Sequence, residues 1–167
     1  MKYSIITLLF LFATSFGHSQ ETLINDAQHY LNAFVENDYE SLSSLTHRNI
    51  VDAAGGEDFY IKNIKEGVLQ TTNQGLNYLS ASVMVQNMEP YSVGKELHAI
   101  VPHDIIVAVG KQKFRAIDHI LAVSLDDGAS WQFVMLGKYS EESLRKYIPN
   151  LPKAFKIINA TPFEELR

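Results

Sequence analysis

The sequence predicts an α+β domain, with helices in its first half packed on a curved antiparallel sheet in its second. Three observations carry that prediction. Apolar residues recur at helical spacing up to about residue 70, with Ala27, Tyr30, Leu31 and Phe34 as the clearest stripe. The period then changes to two, beginning with Leu79, Ala81, Val83 and Val85 against Tyr78, Ser80, Ser82 and Met84. Long extended runs after that point are separated by compact turn sequences at residues 110–113 and 126–128, which suits strands returning antiparallel to their neighbours.

The elements follow in order. The opening MKYSIITLLFLFATSFGHSQ has a positive n-region at Lys2 and an apolar run over residues 5–12, interrupted only by Thr7. Gly17 and Ser19 are small residues placed for a cut at Ser19–Gln20, the layout of a secretory signal whose apolar part is too short to span a bilayer. Residues 1–19 are therefore expected to be removed, giving a secreted or periplasmic protein that starts at Gln20 and keeps no membrane anchor. The first helix of the mature chain ends at Asn37-Asp38, and Asp38 is an N-cap for a short second helix carrying Leu42 and Leu45. Gly55-Gly56 marks a turn. A third helix is predicted over residues 58–70, with Tyr60, Ile61, Ile64 and Val68 inward, and TTNQG at 71–75 ends it.

A half-buried strand, a loop at 86–95 containing Pro90 and Gly94, and a long strand at 96–109 come next. That strand is expected to bend or bulge near Pro102, because proline cannot donate to a ladder. Residues 114–125 form a second long strand, Asp126-Asp127-Gly128 a hairpin turn, and residues 131–136 the returning strand. Ser140 caps a short helix with Glu142 and Ser143 in its first turn. The domain is read as residues 20–148. The tail, 149–167, is expected to pack on it through Phe155, Ile157 and Ile158.

Removing residues 1–19 takes away Lys2 alone of the charged residues, leaving 13 basic against 19 acidic and a net charge of −6 with His neutral. Such a surface repels phosphate backbones and anionic lipid headgroups, and no basic cluster offsets it, so nucleic-acid binding is not expected. The chain has no cysteine, which excludes a lipoprotein anchor, a thiol nucleophile and thiolate metal sites. No Gly-rich phosphate loop, HExxH sequence or nucleophile elbow is present.

Three stretches together resemble the NTF2-like (SnoaL-like) superfamily of cone-shaped α+β domains: FVENDYESLSSL at 34–45, the Gly55-Gly56 pair before a helix, and LAVSLDDGASWQFVML at 121–136. The resemblance covers roughly residues 22–140. It implies a cone of three N-terminal helices on a curved antiparallel sheet, with a short C-terminal helix and tail. Members of that superfamily include isomerases, dehydratases and binding modules, and its enzymes place acid–base residues inside the cone. Many relatives continue the Trp-led strand with histidines, where this chain has Met135, Leu136, Gly137 and Lys138.

His119 and Asp118 are the candidate catalytic residues. His119 shares a strand face with Arg115, Ile117, Leu121 and Val123, where an imidazole serves as a general base near neutral pH or as a hydrogen-bonded core residue. Asp118 faces the other way, beside Phe114, Ala116, Ile120 and Ala122, where a carboxylate must be paired, hydrated or raised in pKa. The two form no dyad unless a bulge intervenes. A bulge at Pro102 would also bring His98 and His103 to one face, and with His119 three imidazoles would then suit zinc; without it they are solvated or structural, and no metal or cofactor is expected. Tyr30, Tyr60, Tyr78, Arg115 and Trp131 are the candidate ligand-binding set, the tyrosines because the superfamily's enzymes turn tyrosine hydroxyls into the cone. The expected function is binding of a small, largely apolar ligand or a partner segment. The alternatives are a cofactor-free lyase or isomerase using His119 or Asp118, and a non-catalytic interaction domain of the cell envelope. Because residues 97–109 and 114–125 are apolar on both faces, one sheet face needs cover, and a homodimer through the sheet is expected to supply it, with the chain's own tail as the competing cover.

Overall fold

The computed structural model describes residues 4–86, 88 and 90–167, and of residues 4–18 only the backbone. Helices α1 (Ser4–Glu36), α2 (Tyr39–Leu45), α3 (Arg48–Ala53) and α4 (Glu57–Asn73) come first. Strands β1 (Leu76–Val83), β2 (Tyr91–Val93), β3 (Glu96–Val109), β4 (Gln112–Ser124) and β5 (Gln132–Met135) follow. A 3-10 turn (Leu136–Lys138), α5 (Glu141–Tyr147) and a last strand β6 (Glu164–Leu166) complete the chain. The fold is α+β, with helices against a curled antiparallel sheet in the order β1-β3-β4-β5, β2 pairing with β3 and β6 with β4. Helix α1 runs through the Ser19–Gln20 bond, and Lys2 lies outside the described residues.

Local chemistry sets the helix boundaries. Asn37 adopts φ 60°, the left-handed conformation that ends a helix, and the Asp38 N–H closes back on the Ala33 carbonyl at 2.9 Å. The Asp38 carboxylate then accepts the Ser41 N–H at 3.1 Å and starts α2. Four helices precede the sheet instead of three. The extra one, α3, is capped by His47, whose Nδ1 accepts the Asn49 N–H at 3.3 Å. Its six residues bury only Ile50 and Val51, too few to show a helical period. Ser140 and Ser143 form a reciprocal capping box at α5.

Three strand expectations are corrected. The irregularity lies in β1, between Tyr78 and Ser80, so Leu79 turns outward and is 43 % exposed while Tyr78 joins Ala81 and Val83 on the inner face. β3 carries no bulge at Pro102: it pairs with β4 in unbroken register from Leu97↔Ser124 to Val109↔Gln112. Pro102 stands where β1 has run out, and its carbonyl accepts the Met84 N–H at 2.9 Å, so its missing donor breaks no ladder bond. The expected loop at 86–95 contains β2, folded onto β3 by Gly94 at φ 65°, and tucks Met88 into the core.

The sheet buries both of its faces. On the inner face Ala99, Val101, Ile120 and Ala122 pack against α1 through Leu23, Ala27, Tyr30 and Leu31, with Trp131 and Phe133 alongside. Each such large side chain contributes about 1.5–3 kcal/mol. On the outer face Leu121, Val123 and Val134 are covered by Leu144, Ile148, Leu151 and Phe155. Leu151 and Phe155 of the tail are buried in this cluster, while Ile158 is 44 % exposed. β6 adds to the tail's contacts by pairing with the part of β4 that β5 does not reach.

Candidate functional site

Two groups of polar side chains meet around Phe34, near the end of α1. The first lines a cleft between α1, α2, α4 and the β5–Tyr139 segment. Tyr30 reaches it from α1 and Tyr60 from α4, both through the apolar stripes that hold these helices in place. Thr46, just after α2, donates its hydroxyl to the Leu42 carbonyl at 2.8 Å, so its oxygen receives the Tyr60 hydroxyl at 3.0 Å. The Tyr30 hydroxyl bonds into the same cluster. Burial raises the pKa of Tyr30 and Tyr60, and burial followed by the neighbouring Tyr60 and Tyr147 pushes Tyr139 up to about 12. All three hydroxyls are neutral donors at any physiological pH.

Lys138 closes the rim. The residue keeps contact with solvent, but its ammonium stands 5.9 Å from the Phe34 ring centroid, and the protein around it lowers its pKa by desolvation. The free volume of the cleft is about 20 Å³, room for one water.

The second group lies on the inner sheet face. The register sets His103 directly opposite Asp118. His103 is 4 % exposed, and among the described residues its Nδ1 has no hydrogen-bond partner. Burial lowers its pKa, with the Asp118 carboxylate pulling the other way. One Asp118 oxygen accepts the His119 backbone N–H at 2.8 Å. Tyr78, on the same face, packs edge-on to Phe34 with centroids 4.7 Å apart, and the Asp118 charge adds to burial in raising its pKa. A neutral buried imidazole facing a carboxylate, with a phenol beside them, is a set that can bind a polar group or move a proton.

The residues singled out from the sequence are thus divided. Tyr30 and Tyr60 come together in the cleft. Tyr78 does not line it and stands beside Asp118. Asp118 is on the inner face and His119 on the outer face, half-buried with its Nδ1 unpartnered and its pKa lowered by burial. Arg115 points outward, away from the cleft, and donates to Asp104 at 2.6 Å. Trp131 is buried in the core under α1, its backbone N–H held by Asp26 at 3.1 Å, and does not reach the cleft. His98 faces outward, bonded to Glu96 at 2.8 Å, so the three imidazoles do not converge. Among the described residues no group of three or more His, Asp or Glu is placed to hold a metal ion.

Sequence reasoning missed Thr46, Lys138, Tyr139 and the pairing of His103 with Asp118. The last was within reach. A two-residue turn at Gly110-Lys111 sets Val109 against Gln112, and counting back along both strands brings 103 to 118. Comparison with protein-family models, curated proteins and solved structures finds no match for this chain.

Proposed function

We propose that this chain is an exported domain of the NTF2-like (SnoaL-like) superfamily that binds a small, largely apolar ligand bearing one polar group. The order of helices before a curled antiparallel sheet, with its Trp-led returning strand, supports the family reading. The observation that carries the binding reading is the cleft: apolar walls from Phe34, Leu42, Ile50 and Ile64, three hydroxyls at Tyr30, Thr46 and Tyr60, and the Lys138 ammonium at the rim. Such a few-polar, mostly apolar lining is what orients a small molecule. The cleft as it stands admits one water, so the ligand enters when Lys138 and Tyr139, carried on the short segment after β5, swing aside.

The test is to incubate the purified protein with a metabolite extract, remove unbound material, and identify what is released on denaturation by mass spectrometry. A defined small molecule is expected, with less of it retained by Tyr60→Phe and by Lys138→Met. A protein that retains nothing, and whose melting temperature no fraction of the extract raises, would end this reading.

A second reading, a cofactor-free lyase or isomerase, is favoured by one observation, the apposition of His103 and Asp118. Here Asp118 and His103 exchange the proton and Tyr78 donates a hydrogen bond to the reacting oxygen; His119, on the other face, takes no part. Incubating the retained molecule with the protein in heavy water separates the two readings. Deuterium uptake that disappears in Asp118→Asn supports catalysis, and an unchanged mass leaves binding alone.

A further inference from the structure

We infer that residue 20 is a modification site: after export, Gln20 closes into a pyroglutamyl ring. The inference rests on the export reading, which places the cut at Ser19–Gln20. The freed α-amino nitrogen attacks the side-chain amide carbon of the same residue. A nitrogen–Cδ bond forms, the Cδ–Nε2 bond breaks, and the amide nitrogen leaves as ammonia with the proton given up by the amine. The product is a five-membered lactam, and no oxidant, reductant or second substrate takes part. Neither neighbour of Gln20 can react this way, since Ser19 and Glu21 have no side-chain amide.

The fold gives this ring a place and a use. Ser19 is only 7 % exposed and lies against the Gly128 turn, where a Cβ on Gly128 would come within 3.3 Å of the Ser19 Cα. The folded domain therefore hides one side of the cut, and cleavage belongs to the unfolded chain in transit. Gln20 itself is exposed, which leaves its new amine and its amide open to solvent and to a cyclising enzyme. Leu23, three residues on, is fully buried and begins the α1 stripe that seals the inner face. Less than one helical turn separates the new terminus from the core. An aminopeptidase that took a few residues would pull Leu23 out of that core, and a lactam offers such an enzyme no free amine. The ring also removes a positive charge from the N-terminal end of α1, where the helix dipole already concentrates positive partial charge.

The experiment is intact-mass measurement and N-terminal sequencing of the exported protein isolated from the cells that make it. The expected result is a chain starting at residue 20, lighter by one ammonia than the mass encoded by residues 20–167, blocked to stepwise degradation and unblocked by pyroglutamyl peptidase. The exported Gln20→Ala variant is expected to show a free amine and to lose its N-terminal residues to an added aminopeptidase, while the wild type does not. A chain starting at Gln20 with a free amine overturns the inference and leaves the export reading standing. A chain that starts elsewhere, or keeps residues 1–19, overturns both.

Discussion

Replacing Thr46 by valine tests the cleft at its most connected atom. The side chain is 2 % exposed, and valine has nearly the same shape, so the change removes a hydroxyl without opening a cavity. Two partners lose by it: the Leu42 carbonyl loses a donor at 2.8 Å and the Tyr60 hydroxyl an acceptor at 3.0 Å. Leaving a buried hydroxyl unpaired costs about 1–3 kcal/mol. Because the Tyr30 hydroxyl can take over part of the lost bonding, about 2 kcal/mol is the expected loss. For a domain of this size that corresponds to roughly 4–8 °C in melting temperature. Tyr60→Phe removes the donor and leaves Thr46 its bond to Leu42, costing about 1 kcal/mol. In the double variant no Tyr60 hydroxyl is left unpaired, so the two losses are expected to fall short of additive by about 1 kcal/mol. Urea and thermal melts of the wild type, both single variants and the double variant at neutral pH measure all four corners of the cycle. Additivity to within about 0.5 kcal/mol would mean that the two hydroxyls do not meet in solution, and the polar floor of the cleft would be lost with them.

Stability is also expected to fall with acid earlier than carboxylates alone would cause. Burial lowers the pKa of His47, His103 and His119, so the unfolded chain takes up protons that the folded chain refuses, and stability drops as pH falls from about 6.5. Melting temperatures between pH 7.5 and 5 measure this; His103→Gln should flatten the curve, and an unchanged curve would count against a neutral His103 (the pH values are set around the ordinary histidine pKa of about 6.5). Deleting residues 150–167 uncovers Leu121 and Val123 and unpairs β4 from β6, and the truncated chain is expected to aggregate or dimerise in light scattering. A full-length homodimer that survives the truncation would instead assign that cover to a partner subunit. Arg115→Ala breaks only an outward-facing ion pair and is expected to cost less than about 1 kcal/mol without altering ligand retention, which equilibrium binding would check.

What could be read from the sequence is what local physics decides. Asp38 capped its helix, Ser140 its own, and the long strand 96–109 ended where Val109 meets the Gly110 turn, because caps and turns act over three or four residues. The errors came where tertiary context outweighed the local pattern. Leu79 looked like an inward residue by alternation, but the bulge in β1 gave its place to Tyr78, which gains the Phe34 ring as a neighbour. Pro102 looked like a point of strain, but the shortness of β1 left its side of β3 without a strand to disappoint.

The candidate site was legible to the extent that it depends on register. Alternation along β4 was enough to put Asp118 and His119 on opposite faces, and the unbroken ladder keeps them there. The same counting, carried across the Gly110-Lys111 turn, pairs Asp118 with His103 and removes the need for a bulge to complete a dyad. The cleft was different. Thr46, Tyr60 and Lys138 sit in three separate segments, and no periodicity within one segment says that they meet. They meet because α1 crosses the inner face and delivers Tyr30 and Phe34 to the place where α2 ends and β5 turns into the 3-10 segment. Arg115 and Trp131, chosen for their chemistry alone, went elsewhere: one to an ion pair on the outer face, the other into the core. Residue type proposes a site, but only the packing of one segment on another disposes its members toward a common point, and here that packing brings Tyr30 and Tyr60 together and leaves Tyr78 outside the cleft.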